Sequence, residues 1–248
     1  MSRNFDLLQR VARETQGRNQ AVPVAGVART YEMRPVPDAH ALSREELVRL
    51  VRTVFLSPVG PSPRVVVFTA AEPGSGCSSI CLGTAQALAA QMEGTVCVVD
   101  SNLRHPSLHM GCGVERQRGL SEILLEPGPL QGTISKLPGE NLWFLSCGLA
   151  NARSTGIVNS SRLSACIAEL RQKFTYVLMD SPCVSMYSDA TSLGQCADGV
   201  ILIVSANSTR RETARRAKEN LQAAGARLLG AVLNKRTYPI PRAIYERL

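Results

Sequence analysis

Aromatic side chains are scarce in this chain: one tryptophan, five tyrosines and five phenylalanines among 248 residues. None interleaves with the arginines of the most basic stretch, "STRRETARRAKEN", which argues against a surface that stacks single-stranded bases. Long apolar runs are missing too. No window approaches the roughly 18 apolar residues that a membrane-spanning helix needs, and the polar start "MSRNFDLLQRVARETQGRNQ" has no signal-peptide apolar core. The expectation is a cytoplasmic protein. The eight cysteines include no CxxC pair, so neither a zinc ribbon nor a disulfide framework is indicated, and buried free thiols are expected. His105, His109 and Cys112 lie close together but lack a second ligand pair, a poor pattern for a metal.

With 44% hydrophobic and 19% charged residues the composition is that of a globular protein. The length suits one large α/β domain or two small ones. Net charge is +8 and uneven: residues 1–64 carry +4, residues 65–206 carry −3 and residues 207–248 carry +7. A basic helix near the C-terminus can meet nucleic acid or an anionic membrane, but charge of this kind more often marks a solvated helix face. Nucleic acid is therefore not the expected partner.

Residues 1–42 read as an N-terminal arm, a short helix followed by an extended linker broken by Pro23, Pro35 and Pro37. A domain spanning residues 43–248 follows. It opens on a helix, "SREELVRLVRTVFL", with a capping box from Ser43 and Glu46 and with Leu47, Leu50, Val51 and Val54 recurring on one face. Six apolar runs then alternate with segments of helical pattern: "RVVVFTA", "GTVCVVD", "NLWFLSC", "TYVLMDS", "DGVILIVSA" and "LLGAVLN". Continuous rather than alternating apolar runs suit parallel strands covered on both faces. The predicted fold is α/β, a doubly wound, mostly parallel sheet flanked by helices, with its ligand site at the carboxyl ends of the strands. The last helix is expected to start on a second capping box, Thr209 with Glu212, and to end near Gly225.

Three of those strand ends carry chemistry. After the first, "AEPGSGCS" has Walker A spacing with alanine for the first glycine. Gly74 and Gly76 let the backbone amides of Ser75 to Ser79 turn toward an anion, and Ser78 at the helix start is placed to ligate magnesium. The position that should be lysine is Cys77. The amide cradle survives that change because it belongs to the backbone; what goes is a cation on the β- and γ-phosphates. A thiol at a helix N-terminus can have a depressed pKa and be reactive, although a small neutral filler explains Cys77 as well. The second strand ends in Asp100, which either holds magnesium or caps the next turn, with Arg104 beyond it to face phosphate. The fourth run ends in Asp180, in the manner of a Walker B aspartate or of an ordinary strand-ending turn.

At these residues the chain resembles the bacterial tyrosine kinases, cytoplasmic P-loop kinases of capsule and exopolysaccharide assembly. The resemblance runs from about Ser43 to the C-terminus. "FTAAEPGSGCSSICLGTAQALA" is similar to the family's Walker A segment, "VVDSNLRHPSLH" to its D-x-D-x-R-x-P motif and "YVLMDSP" to its Walker B. Asn234 stands where the family usually meets the base. Glu46, Arg49 and Arg52 have the E-x-x-R-x-x-R spacing by which members pack into rings, a pattern that a plain solvated helix face also produces.

Three departures bear on chemistry. Cys77 replaces the lysine, Asn102 replaces the second aspartate, and of the C-terminal tyrosine cluster only Tyr238 and Tyr245 remain. The first two remove one charge of each sign from a single pocket, which weakens electrostatic catalysis from both directions. The resemblance thus implies a catalytically impaired, pseudokinase-like subunit with ATP or ADP and magnesium bound weakly or not at all. It implies assembly with itself, with a related kinase or with a membrane polysaccharide co-polymerase. The alternatives are an active autokinase that phosphorylates Tyr238, Tyr245 or a partner, and a partition-type positioning ATPase. The last ranks lowest, because such ATPases carry an early loop lysine that "AAEPG" lacks.

Overall fold

The structure, a computed structural model, describes residues 42–56, 60–126, 130, 132–138, 141–149 and 161–236. Seven strands form one sheet: β1 (Val65–Ala70), β2 (Val96–Asp100), β3 (Ile134–Lys136), β4 (Leu142–Leu145), β5 (Tyr176–Asp180), β6 (Gly199–Ser205) and β7 (Leu228–Asn234). Their order is β3-β4-β2-β5-β1-β6-β7. All neighbours are parallel except β3 and β4, so the predicted architecture is present. The short antiparallel β3 is one strand more than the apolar runs indicated, and it makes the strand ending in Asp180 the fifth. It escaped because "ISK" is neither long nor fully apolar, and its residues are at most half-buried.

The helices are α1 (Arg44–Phe55), α2 (Cys77–Gln91), α3 (Leu108–Cys112), α4 (Leu120–Leu125), α5 (Ser161–Lys173), α6 (Asp189–Cys196) and α7 (Arg211–Ala223). Successive strand residues feed opposite faces. Val66 and Phe68 of β1 join Val51, Phe55, Ile80 and Leu88 of α1 and α2, while Val65 and Val67 join Ile167, Leu170, Leu193 and Leu221 of α5, α6 and α7. Six of the eight free cysteines are buried in the body.

Ser43 and Glu46 form the expected capping box: Ser43 N–H donates to Glu46 Oε2 at 2.7 Å and Glu46 N–H to Ser43 Oγ at 3.3 Å. Helix α1 is anchored by Phe55, whose ring meets Tyr176 edge-on at 5.7 Å. Gly83 lets it approach α2, since a side chain there would collide with Leu47 Cδ1 at 2.7 Å. With that face turned inward, Glu46, Arg49 and Arg52 are all exposed on the other.

At α7 the expected box is absent. The helix begins after Arg210, with no side-chain cap, because Thr209 Oγ1 instead accepts the Ser205 amide at 3.2 Å and closes the β6 turn. The C-terminal end is as expected, with Gly225 in the left-handed region at φ 76°. Arg210, Arg211, Arg215, Arg216 and Lys218 are exposed, and Arg215 meets Glu219 at 3.5 Å, the arrangement of a solvated face.

A polar clamp fixes the entry to β1. Asp198 Oδ2 accepts the amides of Arg64 and Val65 at 2.7 and 2.8 Å, and Arg171 donates to both its carboxylate oxygens at 3.0 and 2.7 Å. Burial pushes the Asp198 pKa up, but the bonds from Arg171 and the two amides outweigh it and hold it below the usual range. Asp198→Ala leaves two amides and a guanidinium short of partners. It is expected to cost about 1–3 kcal/mol, read as a lower urea midpoint with an unchanged slope.

Candidate nucleotide site

The parallel order brings the carboxyl ends of β1, β5 and β2 side by side. The loop after β1 turns over them, with Gly74 and Gly76 in the left-handed region at φ 74° and 83°. Gly76 is the N-cap of α2 and offers no capping side chain, so the first-turn amides lack a side-chain partner. No atom lies within 4 Å of where a Gly74 side chain would stand. The result is an open backbone cradle suited to an anion.

Below the cradle, Asp100 and Asp180 are register partners on β2 and β5, and both are fully buried. Ser78 Oγ donates to Asp180 Oδ2 at 2.6 Å, and Ser107 Oγ donates to Ser78 Oγ at 3.1 Å. Asp180 Oδ1 is buried without a hydrogen-bond partner. A buried, unmatched carboxylate oxygen beside a serine hydroxyl and an anion cradle fits magnesium, which is held by one or two protein oxygens plus water and phosphate. When bound, the ion would neutralise phosphate charge; Ser78 and Asp180 would hold it. Asp100 faces Asp180, and its oxygens cap the next turn, accepting the amides of Asn102 and Leu108, each at 3.2 Å.

Burial, and then the charge of Asp180, pushes the Asp100 pKa up to about 8. Burial also raises Asp180, to about 6, against the bonds from Ser78 and Cys77. Burial followed by the charge of Asp180 drives the Cys77 thiol well above its ordinary value. Of the two readings of Cys77, this environment favours the small neutral filler over a reactive thiolate. Burial and the neighbouring carboxylate outweigh the helix N-terminus, and the Cys77 thiol stays neutral.

Two further site residues are engaged elsewhere. Arg104 donates from Nε to Asp189 Oδ2 at 2.7 Å, and its guanidinium lies 4.1 Å from the centre of the Tyr187 ring. It braces the loops after β2 and β5 rather than facing phosphate. Asn234 is buried, and its Nδ2 donates to the Ser75 carbonyl at 2.8 Å. It clamps the loop, with Oδ1 left unpartnered. Ser107, Tyr187 and Asp189 carried no sequence signal, because only the crossovers bring them to the site. Asn102 lines the cavity, and its Oδ1 accepts the His105 amide at 3.0 Å. Tyr238, Tyr245 and the arm over residues 1–41 lie outside the described residues. Among the described residues, no three His, Cys, Asp or Glu side chains are grouped to hold a metal, His105, His109 and Cys112 included.

A cavity of about 610 Å³ opens over this floor, walled by the Glu72–Ser79 loop, by Asn102, His105 and Ser107, and by the segment that ends at Met186 and Tyr187.

No protein-family model matches the chain. The tyrosine-protein kinase YwqD of Bacillus subtilis is 29% identical over 190 residues, covering 76% of this chain and 80% of that protein. The crystal structure of the chimerical protein CapA2B2 superposes with a TM-score of 0.73 at 26% identity, covering 78% of this chain and 85% of that one. Sequence and fold together support assigning the chain to the bacterial tyrosine-kinase family. The P-loop backbone, Ser78, Asp100 and Asp180 stand where the sequence motifs put them, and Cys77 and Asn102 occupy the positions at which those motifs call for lysine and aspartate. A more distant likeness shows the fold alone. The septum site-determining protein MinD of Pyrococcus horikoshii, complexed with Mg-ADP, is 22% identical with a TM-score of 0.59 over 68% of this chain and 69% of that one. No described helix is long and apolar enough to cross a membrane.

Proposed function

We propose that this family member is a catalytically impaired, pseudokinase-like subunit of exopolysaccharide or capsule biosynthesis and export. It retains a cradle for ATP or ADP with magnesium and acts by assembly. One observation carries the reading: position 77, where the transferring phosphates need a cation, holds a thiol that burial and the charge of Asp180 keep neutral, and among the described residues no lysine or arginine lines the cavity above it. Phosphoryl transfer depends almost wholly on positioning and charge neutralisation, so this pocket can bind far better than it can catalyse. The exposed Glu46, Arg49 and Arg52 on α1 are the assembly face, toward further copies, a related kinase or a membrane co-polymerase that would hold the protein at the inner membrane.

Calorimetry with MgATP, together with a phosphate-release assay, tests this. The expected result is weak binding with no measurable turnover. Micromolar binding with steady phosphate release overturns it. The orphaned Asp180 Oδ1 favours a second reading, an active autokinase that uses Tyr238 or Tyr245. Phosphotyrosine at either residue after expression, seen by mass spectrometry, establishes that reading instead.

A further inference from the structure

Ser107 is the N-cap of the short helix α3, a position where a serine hydroxyl ordinarily accepts an amide of its own helix. Here it makes no such bond. Its carbonyl starts the helix by accepting the Met110 amide at 3.1 Å, while its hydroxyl turns away to Ser78 Oγ, 29 residues distant in the chain and 3.1 Å distant in space. The side chain is thus spent on the site and not on its own helix.

The direction of this hydroxyl chain is fixed. A serine hydroxyl has one hydrogen and two lone pairs. Ser78 gives its hydrogen to Asp180 Oδ2 at 2.6 Å, so the hydrogen between the two serines comes from Ser107. One lone pair of Ser78 Oγ is then engaged and one is left over. Asp180 Oδ1, fully buried and without a partner, is a second free acceptor on the same carboxylate. Ser107 is itself anchored, because the next residue, Leu108, donates its amide to Asp100 Oδ2 at 3.2 Å. Both serines line the main cavity.

We propose that Ser107 is a positioning residue for the divalent cation: its hydroxyl locks that of Ser78 with the hydrogen on Asp180 and the remaining lone pair available to magnesium. The inference rests on the reading of this floor as the magnesium end of a nucleotide site. Without such a donor, the Ser78 side chain is a rotor with three staggered wells, and ordering it would weaken binding of the cation. A hydrogen bond from outside the ligand set removes that freedom in advance.

The test uses the full chain, with calorimetry of ADP in excess magnesium and in EDTA, and with thermal melts at pH 8 with and without magnesium alone. Ser107→Ala is expected to cut the enhancement of ADP affinity by magnesium about threefold to tenfold, the worth of one neutral hydrogen bond, and to leave affinity in EDTA within about twofold. It should also shrink the rise in melting temperature that magnesium produces. Ser107→Thr keeps the hydroxyl and restores both. An undiminished enhancement in folded Ser107→Ala, an equal loss with and without magnesium, or no rescue by threonine overturns the role of Ser107 while nucleotide binding stands. If the folded wild type binds no nucleotide, that reading falls and the melts decide: magnesium stabilising Ser107→Ala as much as the wild type overturns the inference. If magnesium neither enhances ADP binding nor stabilises the wild type, the magnesium site falls and the inference falls with it.

Discussion

Cys77→Lys combined with Asn102→Asp is expected to raise phosphate release from MgATP by at least ~100-fold over the wild-type chain. The backbone for this gain already exists. Position 77 is the first residue of α2, directly beneath the cradle, with its side chain turned to Asp180. An ammonium there would face both the carboxylate pair and the bound phosphates. Asn102 Oδ1 accepts the His105 amide, and an aspartate oxygen can accept the same bond, so the 102–105 turn survives the change. Each single variant should recover much less, because lysine without the second carboxylate, or the reverse, leaves the pocket unbalanced and such effects are strongly non-additive. Steady-state phosphate release reads the result. A double variant that folds and binds MgATP yet stays silent would place the impairment outside these two positions.

Metal-free protein is expected to lose stability steadily as pH rises from about 4 to about 8. Burial raises the pKa of both Asp100 and Asp180 in the fold, and the charge of Asp180 raises Asp100 further. Between the ordinary carboxylate range and the raised values, the folded protein holds protons that the unfolded chain has released. Stability therefore falls with rising pH through that window. It is greatest below the ordinary range and levels off above pH 8. The fall is expected to reach at least about 3 kcal/mol, since each pKa unit corresponds to about 1.4 kcal/mol. Asp100→Asn removes one titrating group and leaves an amide oxygen for the Leu108 or Asn102 amide, so it should flatten the profile and stabilise the protein at pH 8. Excess magnesium should raise the melting temperature at pH 8 but not at pH 5, because it engages only the ionised pair. Denaturant melts across this range decide the matter, and a profile that is flat or rises with pH contradicts the arrangement of the two carboxylates.

Much of this site was legible in the chain because its parts are local. The glycine loop, Ser78, Asp100 and Asp180 each follow an apolar β-branched run. A parallel sheet gathers its carboxyl ends without further instruction. The box at Ser43 and Glu46 was readable for the same reason, since both partners lie within one turn. The box at Thr209 and Glu212 has the same spelling and does not form, because the Ser205 amide at the end of β6 competes for the same hydroxyl. Strand β3 was missed because three half-buried residues carry no periodicity.

The sequence by itself determined the class of the protein: an α/β sheet with a phosphate loop, two strand-end aspartates and a helix that sets two arginines and a glutamate on its outer face. It also determined that position 77 carries no cation and position 102 no carboxylate. Only the tertiary structure decided what those side chains do. It turned Arg104 to Asp189 and Tyr187, made Asn234 a clamp on the loop, and raised the Cys77 thiol rather than lowering it. Every one of these outcomes depends on groups distant in the chain and on burial in a low-dielectric interior, where a partner 85 or 159 residues away outweighs any local tendency.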